Sequence, residues 1–115
     1  MSLINLNKAT SNEIKSLNPE YLSGYSLSGI KLAVKKGYNV YKKDSYGYDI
    51  MYYTAKKGFL NHVKYLEEQG MNCNKRYKGK KLMDTLSYQY EHPYSDLHKE
   101  RLKKVIHHIG EKKKM

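Results

Sequence analysis

The apolar positions in the middle of this chain recur at the spacing of a helix. Leu60, Val63 and Leu66 follow one another every three residues, while Lys64 and Glu67 occupy positions between them or just after them. This pattern predicts a helix that buries one face and turns its charged side chains outward.

The segment before this helix predicts a second, shorter helix that pairs with it. Ile50 and Ala55 fall on one side of a short helix, and Asp49 precedes them as a capping residue. Gly58 then lies where a helix must stop, since a residue without Cβ can adopt the left-handed conformation. Residues 72–79, beyond the longer helix, are polar and rich in turn formers. The unit is therefore predicted to consist of a helix, a tight turn, a second helix and an extended loop.

A shift of 33 residues brings an earlier stretch of the chain into register with this unit. Glycines and aliphatic residues match together, which a chance alignment of a lysine-rich chain would not give. The matched pairs are Leu27 with Leu60, Ile30 with Val63, Ala33 with Leu66, Gly37 with Gly70, Asn39 with Asn72, Lys42 with Lys75 and Lys43 with Arg76. Because one such unit has an apolar face that it cannot bury alone, repeats of this kind must stack on their neighbours.

The residues of the central unit resemble an ankyrin repeat. The resemblance is carried by Asp-Ser-Tyr-Gly at 44–47, by the segment Ala-Lys-Lys-Gly-Phe-Leu at 55–60 with its continuation to Leu66, and by Gly-Met-Asn-Cys-Asn at 70–74. The tetrapeptide at 49–52 is Asp-Ile-Met-Tyr, where the family has Thr-Pro-Leu-His, so the usual Thr–His hydrogen bonding is missing. The resemblance implies an all-α fold, a short ankyrin-like solenoid of stacked helix-turn-helix repeats with hairpin-like loops.

The units on either side of the central repeat are atypical, as terminal repeats of a solenoid are expected to be. In the N-terminal unit, Thr10 and Glu13 fit a capping box, and Asn18 with Pro19 fits a helix start. We divide one domain of 115 residues as follows: an N-terminal capping unit 1–43, a central repeat 44–76, a C-terminal unit 77–110 and a basic tail 111–115.

The C-terminal unit holds six or seven residues more than the repeat requires. Its first helix is predicted to carry Leu82, Met83 and Leu86, and residues 87–96 are predicted to form an inserted loop, since His92-Pro93 bars an unbroken helix. A last helix is predicted to bury Leu102, Val105, Ile106 and Ile109.

The charge of the chain indicates which partners it attracts. Lys and Arg total 22 against 11 acidic residues, a net charge of +11, which draws acidic proteins, nucleic acids or anionic surfaces. Arg76 and Arg101 are the only arginines, which argues against sequence-specific DNA reading, because arginine is the residue that forks onto guanine edges. Thirteen tyrosines are a second bias. Since Lys, Asn and Tyr have AT-rich codons, an AT-rich genome would also explain part of both biases.

The same inspection predicts where the protein resides. No stretch approaches the ~20 apolar residues of a membrane span, and residues 1–7 lack the apolar run of a signal peptide. Cys73 has no second cysteine with which to pair. These features predict a cytoplasmic protein in a reducing compartment, without a membrane as its partner.

No arrangement of residues predicts an enzyme, a cofactor or a metal. The five histidines include no pair at metal-ligand spacing, and no nucleophile motif or phosphate loop occurs. We expect His62 to pack between repeats, the other four histidines to be solvated and Cys73 to be a buried structural thiol. Glu67 and Glu68 are expected to lie on an exposed helix, where nothing would raise a pKa for acid catalysis.

The resemblance to ankyrin repeats implies a binding face at the hairpin tips and the exposed side of the first helices. Seven of the twelve residues carried over by position are basic and three are tyrosines. They are Lys36, Lys43, Ser45, Tyr46, Tyr48, Lys56, Lys57, Gln69, Arg76, Tyr77, Lys78 and Lys80.

This composition predicts a noncatalytic interaction module that docks an acidic protein surface, with Tyr88, Tyr90 and Tyr94 of the inserted loop widening the surface. Short ankyrin proteins of viruses and phages are often effectors, so the resemblance also implies an inhibitor of a host defence complex. The alternative is nucleic-acid binding, with lysines on phosphates and tyrosines stacked on single-stranded bases. The oligomeric state stays open.

Overall fold

The computed structural model describes residues 4–113, and within that range the chain is mainly helical, as the all-α prediction requires. Seven helices and one two-stranded hairpin follow in the order α1 Ser11–Lys15, α2 Pro19–Ser23, α3 Leu27–Lys35, α4 Ile50–Lys56, α5 Leu60–Glu68, β1 Arg76–Tyr77, β2 Lys80–Lys81, α6 Leu82–Glu91 and α7 Asp96–Lys113. The helices α3 and α5, which the sequence shift of 33 superimposes, have the same length and matching ends.

The predicted helix starts are confirmed by their capping bonds. The Thr10 hydroxyl accepts a hydrogen bond from the Glu13 amide, and the Glu13 carboxylate accepts one from the Thr10 amide, which completes the capping box of α1. Asn18 caps α2, where Pro19 is the first helical residue. Asp49 caps α4 by accepting from the amide of Tyr52. Each of these caps fixes a boundary that the sequence had indicated.

The helices pack in two rows. Helices α2, α4 and α6 are neighbours in that order, and α3, α5 and α7 form a second row against them. The apolar faces of both rows meet in one core that runs along the molecule. Its largest fully buried side chains are Ile14, Leu22, Ile30, Ile50, Met51, Val63, Leu66, Leu82, Leu86, Leu102, Val105 and Ile109.

The turn between α4 and α5 requires a glycine for two reasons. Gly58 has a φ of +80°, in the left-handed region that side chains disfavour. A Cβ built there would lie 2.7 Å from the Cβ of Arg101, because α7 passes directly over the turn. The glycine thus allows the turn itself and the approach of α7.

The hairpin β1–β2 places one lysine, Lys78, at its tight turn. Arg76 pairs with Lys81 and Tyr77 with Lys80, and the two turn residues, Lys78 and Gly79, have φ values of +54° and +81°. Positive φ at both central residues is the signature of the turn that best joins two short antiparallel strands. The hairpin raises the side chain of Lys78 at its tip.

The predicted inserted loop at 87–96 is largely wrong. Helix α6 continues to Glu91, so only residues 92–95 separate it from α7. Nothing before Pro93 breaks the helical pattern, and Tyr90 continues the partly buried face that begins with Leu82 and Leu86. The additional residues therefore lengthen two helices. Helix α7 also runs into the predicted tail as far as Lys113, and residues 114–115 lie outside the described residues.

Candidate partner-binding face

A row of tyrosine rings lies along one side of α4, and lysine ammonium groups lie over these rings. The loop 44–48 and the hairpin β1–β2 flank this side of the helix. We call Tyr46, Tyr48, Tyr52, Lys56 and Lys78 the Tyr–Lys face. The Nζ of Lys78 is 5.6 Å from the ring centre of Tyr46 and 5.2 Å from that of Tyr48. The Nζ of Lys56 is 5.7 Å from the ring centre of Tyr52. These are cation–π distances, so the lysine charges are held near the rings.

The loop that carries Tyr46 and Tyr48 is organised by one carboxylate. The Asp44 Oδ1 accepts hydrogen bonds of 3.0 Å from the amides of both Tyr46 and Tyr48, and its Oδ2 accepts one from the Tyr53 hydroxyl. Burial alone would raise the pKa of Asp44, but these hydrogen bonds outweigh it and hold the pKa below its ordinary value. Asp44 therefore stays charged at neutral pH and keeps the loop closed.

The base of the face is a stacked pair of rings. Tyr48 and Tyr52 lie parallel with their centres 3.9 Å apart, and Tyr53 and Tyr77 pack against the pair at an angle. Burial first, and then the neighbouring phenol of Tyr48 and the carboxylate of Asp44, raise the pKa of Tyr52 to about 12. This packing fixes the positions of the rings.

A groove of about 540 Å³ opens beside the Tyr–Lys face, between α4 and α6. We call it the α4–α6 groove. It is lined by Tyr52, Lys56, Lys80, Asp84, Thr85, Tyr88 and Gln89. Tyr94 reaches the same side of the molecule, because His98, on which its ring stacks, bonds the carbonyl of Lys56.

The structure brings part of the predicted binding set together. Tyr46, Tyr48, Lys56 and Lys78 form the Tyr–Lys face, and Lys80 joins them through the groove. Four other members are exposed without joining those side chains: Lys43, Ser45, Gln69 and Arg76. Lys43 and Ser45 flank Asp44, Gln69 ends α5, and the guanidinium of Arg76 donates to the carbonyl of Gly79.

Three members of the predicted set are engaged in internal contacts. The Nζ of Lys36 donates to three carbonyl oxygens of residues 6, 7 and 9, at 2.7 to 3.1 Å. The Nζ of Lys57 donates to the Ser23 hydroxyl at 2.7 Å, and burial lowers the pKa of this lysine. Tyr77 is only 5% exposed, and its hydroxyl donates to Asp49. These side chains join elements of the fold, so their assignment to an exposed binding face needs correction.

Sequence reasoning missed the groove residues of α6. Asp84, Thr85, Tyr88 and Gln89 line one side of the groove, and the prediction of a loop from residue 87 onward concealed their helical register. The four-residue spacing from Asp84 to Tyr88, like that from Tyr52 to Lys56, was the available signal, because residues i and i+4 share a helix face.

The histidines make more internal contacts than the sequence predicted. His62 of α5 is packed and not solvated, with its Nε2 2.9 Å from the carbonyl oxygen of Tyr25, which lies just before α3. The prediction of a solvated surface is wrong for His98, which is buried and bonded to the carbonyl of Lys56. It is also wrong for His108, whose Nε2 lies 2.5 Å from the Glu67 carboxylate. Glu67 therefore links α5 to α7 and does not point freely into solvent.

Other kinds of site have little support in the part of the chain that the structure describes. Between residues 4 and 113 no three His, Cys, Asp or Glu side chains gather where they could hold a metal ion. No helix in that range is long and apolar enough to cross a membrane. Cys73 is buried, as predicted. Comparison with protein-family models, curated proteins and solved structures finds no match to this chain.

Proposed function

We propose that this chain is a noncatalytic, ankyrin-like interaction module that docks an acidic protein surface on its Tyr–Lys face. The observation that carries the proposal is the position of Lys78, whose ammonium is shared between the rings of Tyr46 and Tyr48 while Tyr46 stays 64% exposed. An exposed aromatic ring with a fixed cation beside it supplies contact area and charge complementarity together.

The ankyrin-like solenoid is proposed on two observations. The 33-residue shift superimposes α3 on α5, and the helices lie in two rows, with one helix of each unit in each row. The loop tip at 44–48 and the hairpin at 76–81 both precede a helix of the first row. Such an arrangement suits an extended binding surface made of loop tips and first-row helices.

An acidic protein is favoured over a nucleic acid by the state of the rings. Tyr48 and Tyr52 are stacked on each other at 3.9 Å, so their facing sides are closed to a base. Arg76 donates through its Nη1 to the carbonyl of Gly79, so part of its guanidinium fork is already occupied within the hairpin.

The test compares proteins captured from a host extract by the wild type and by two double variants. Lys56→Glu with Lys78→Glu reverses two charges on the face, whereas Lys8→Glu with Lys35→Glu makes the same charge change at exposed positions elsewhere. We expect one stoichiometric acidic protein with the wild type and the control, and its loss with the face variant. Equal capture by all three would contradict the proposal.

Titration with a labelled single-stranded nucleic acid at two salt concentrations tests the alternative that the protein binds nucleic acid. Affinity that merely follows the +11 charge should disappear by physiological salt, since each neutralised phosphate adds about one unit to the salt dependence. Micromolar binding that persists there, and weakens when Tyr46 and Tyr48 become Ala, would replace the proposal with single-strand binding.

A further inference from the structure

We propose that the α4–α6 groove receives an aromatic side chain of the partner, a Trp or Tyr flanked by carboxylates. This inference rests on the proposed function, because it specifies which acidic protein segment the Tyr–Lys face would bind. The aromatic ring would enter between Tyr52 and Tyr88, while the flanking carboxylates would reach Lys56 and Lys80 at the edges of the groove.

The first argument is that two exposed rings beside the groove are held in place. Tyr88 is 60% exposed and stacks one face on the imidazole of His92, with ring centres 4.4 Å apart. Tyr94 is 79% exposed and stacks on His98 at 5.0 Å. Each tyrosine therefore offers its other ring face to a partner at little entropic cost, since the ring is already oriented.

The supporting histidines are themselves fixed by the backbone. The Nδ1 of His92 lies 3.1 Å from the carbonyl oxygen of Tyr88, one turn earlier in α6. The Nδ1 of His98 accepts from the amide of Tyr94, so its Nε2 carries the proton and donates to the carbonyl of Lys56. The position of Tyr94 is thus coupled to the end of α4.

The second argument concerns what the groove would reject. Asp84 lines the groove together with Lys80 and is exposed, so a carboxylate that entered deeply would meet a like charge. A carboxylate is small and would leave most of the groove of about 540 Å³ unfilled. An aromatic side chain is larger, and its transfer into the groove would also bury apolar surface, of which such side chains bury roughly 150–250 Å². The groove therefore suits a neutral ring, and the two lysines suit the acidic neighbours of that ring.

The third argument is that the groove is supplied with hydrogen-bond acceptors. Asp84, Thr85 and Gln89 all line it. The carboxylate of Asp84 is exposed and the hydroxyl of Thr85 is half-buried, so both can be reached from the groove. An indole N–H or a phenol O–H that arrived in the groove would donate a hydrogen bond to one of them. A Trp or Tyr fits this requirement, and a Phe does not.

The experiment uses short labelled peptides as probes at physiological ionic strength. All contain alternating Glu and Gly, and they differ in one central residue, which is Trp, Phe or Ala. A fourth peptide keeps Trp but replaces every Glu by Gln. Fluorescence anisotropy gives the dissociation constants. We expect the acidic Trp peptide to bind about tenfold or more tightly than the Ala peptide, with the Phe peptide between them.

Two variants of the protein test whether the preference for the Trp peptide depends on the rings beside the groove. Tyr88→Ala with Tyr94→Ala should reduce the Trp-over-Ala preference to below about threefold, whereas Tyr41→Ala, at an exposed tyrosine outside the groove, should leave it unchanged. Circular dichroism verifies that each variant folds.

The outcomes separate this inference from the proposed function. Equal binding of the Trp and Ala peptides, both stronger than the uncharged one, would overturn the aromatic anchor and keep the acidic docking. Binding of the uncharged Trp peptide as tight as that of the acidic one would overturn the role of Lys56 and Lys80. Binding of none of the four would overturn the acidic docking and the anchor together.

Discussion

The hydroxyl of Tyr77 donates a hydrogen bond of 2.8 Å to the buried carboxylate of Asp49. The same carboxylate caps α4 and accepts from the Nζ of Lys75 at 2.6 Å. Asp49 thus joins the start of α4 to the strand β1. The ring of Tyr77 also packs under Tyr48 and Tyr52, so this contact supports the base of the Tyr–Lys face.

Removal of the Tyr77 hydroxyl should destabilise the fold. Tyr77→Phe leaves Asp49 with one fewer donor, and we expect the free energy of unfolding to fall by about 1–3 kcal/mol. Asp49→Ala should cost more, because it removes the cap as well as the partner of Lys75. Urea unfolding followed by circular dichroism measures both values. Tyr41→Phe, at an exposed tyrosine, serves as control and should change stability by less than about 0.5 kcal/mol.

The core around α5 should tolerate truncation poorly. Leu66 is fully buried in α5, which packs against both α3 and α7, so Leu66→Ala is expected to cost about 2–5 kcal/mol. Leu97→Ala, at a leucine that is 59% exposed on α7, should have a small effect. Thermal midpoints that agree within a few degrees for Leu66→Ala and the wild type would mean that the helices do not share this core.

Two glycines with similar backbone angles should respond differently to alanine. Gly47 has a φ of +88° with no atom within 4 Å of a built Cβ, so Gly47→Ala should cost only the ~1–2 kcal/mol of the left-handed conformation. Gly58→Ala adds a clash with Arg101 of α7 and should cost clearly more. Equal stability of the two variants would show that α7 does not lie against the α4–α5 turn.

Alkaline pH should unfold the protein through its buried tyrosines. Burial raises the pKa of Tyr25 and Tyr52 to about 12, and it raises the pKa values of Tyr38, Tyr53 and Tyr77 as well. A folded-state pKa above the unfolded value means that the stabilisation is complete below pH ~10 and declines as the pH rises further.

Absorbance at 295 nm should therefore show two groups of tyrosines. The five buried tyrosines with raised pKa values should ionise only together with the loss of helical circular dichroism, above the pH of about 10 at which an ordinary phenol ionises. Ionisation of all thirteen tyrosines in one step near pH 10, with the helices intact, would contradict the burial of these rings.

Once a protein partner has been identified, substitutions of the tyrosines and of the lysines at the Tyr–Lys face and the adjoining α4–α6 groove should affect different rate constants. Tyr46→Ala with Tyr48→Ala should raise the dissociation rate, because aromatic anchors contribute most of the affinity. Charge reversal at Lys56 and Lys80 should mainly slow association, and the effect should shrink as salt rises. Surface plasmon resonance at two salt concentrations separates the two. An unchanged dissociation rate in the tyrosine variant would remove those rings from the interface.

Sequence periodicity by itself determined the helices and most of their ends. The caps at Thr10, Asn18 and Asp49 act through atoms two or three residues away, and the left-handed turn at Gly58 depends on one backbone angle. Such features are local, so a single sequence contains the information that specifies them. The shift of 33 likewise predicted that α3 and α5 are equivalent.

Only the tertiary structure decided which lysines and tyrosines are available to a partner. Lys36, Lys57 and Tyr77 occupy positions that resemble binding positions, yet their polar atoms bond to residues 27 to 34 positions away in the chain. Tyr88 was expected in a loop and instead lies on α6, four residues after Asp84, where it lines the groove. Whether a long side chain reaches solvent or a distant carbonyl depends on the distance between elements. That distance is set by the packing of the whole core, which no local pattern encodes.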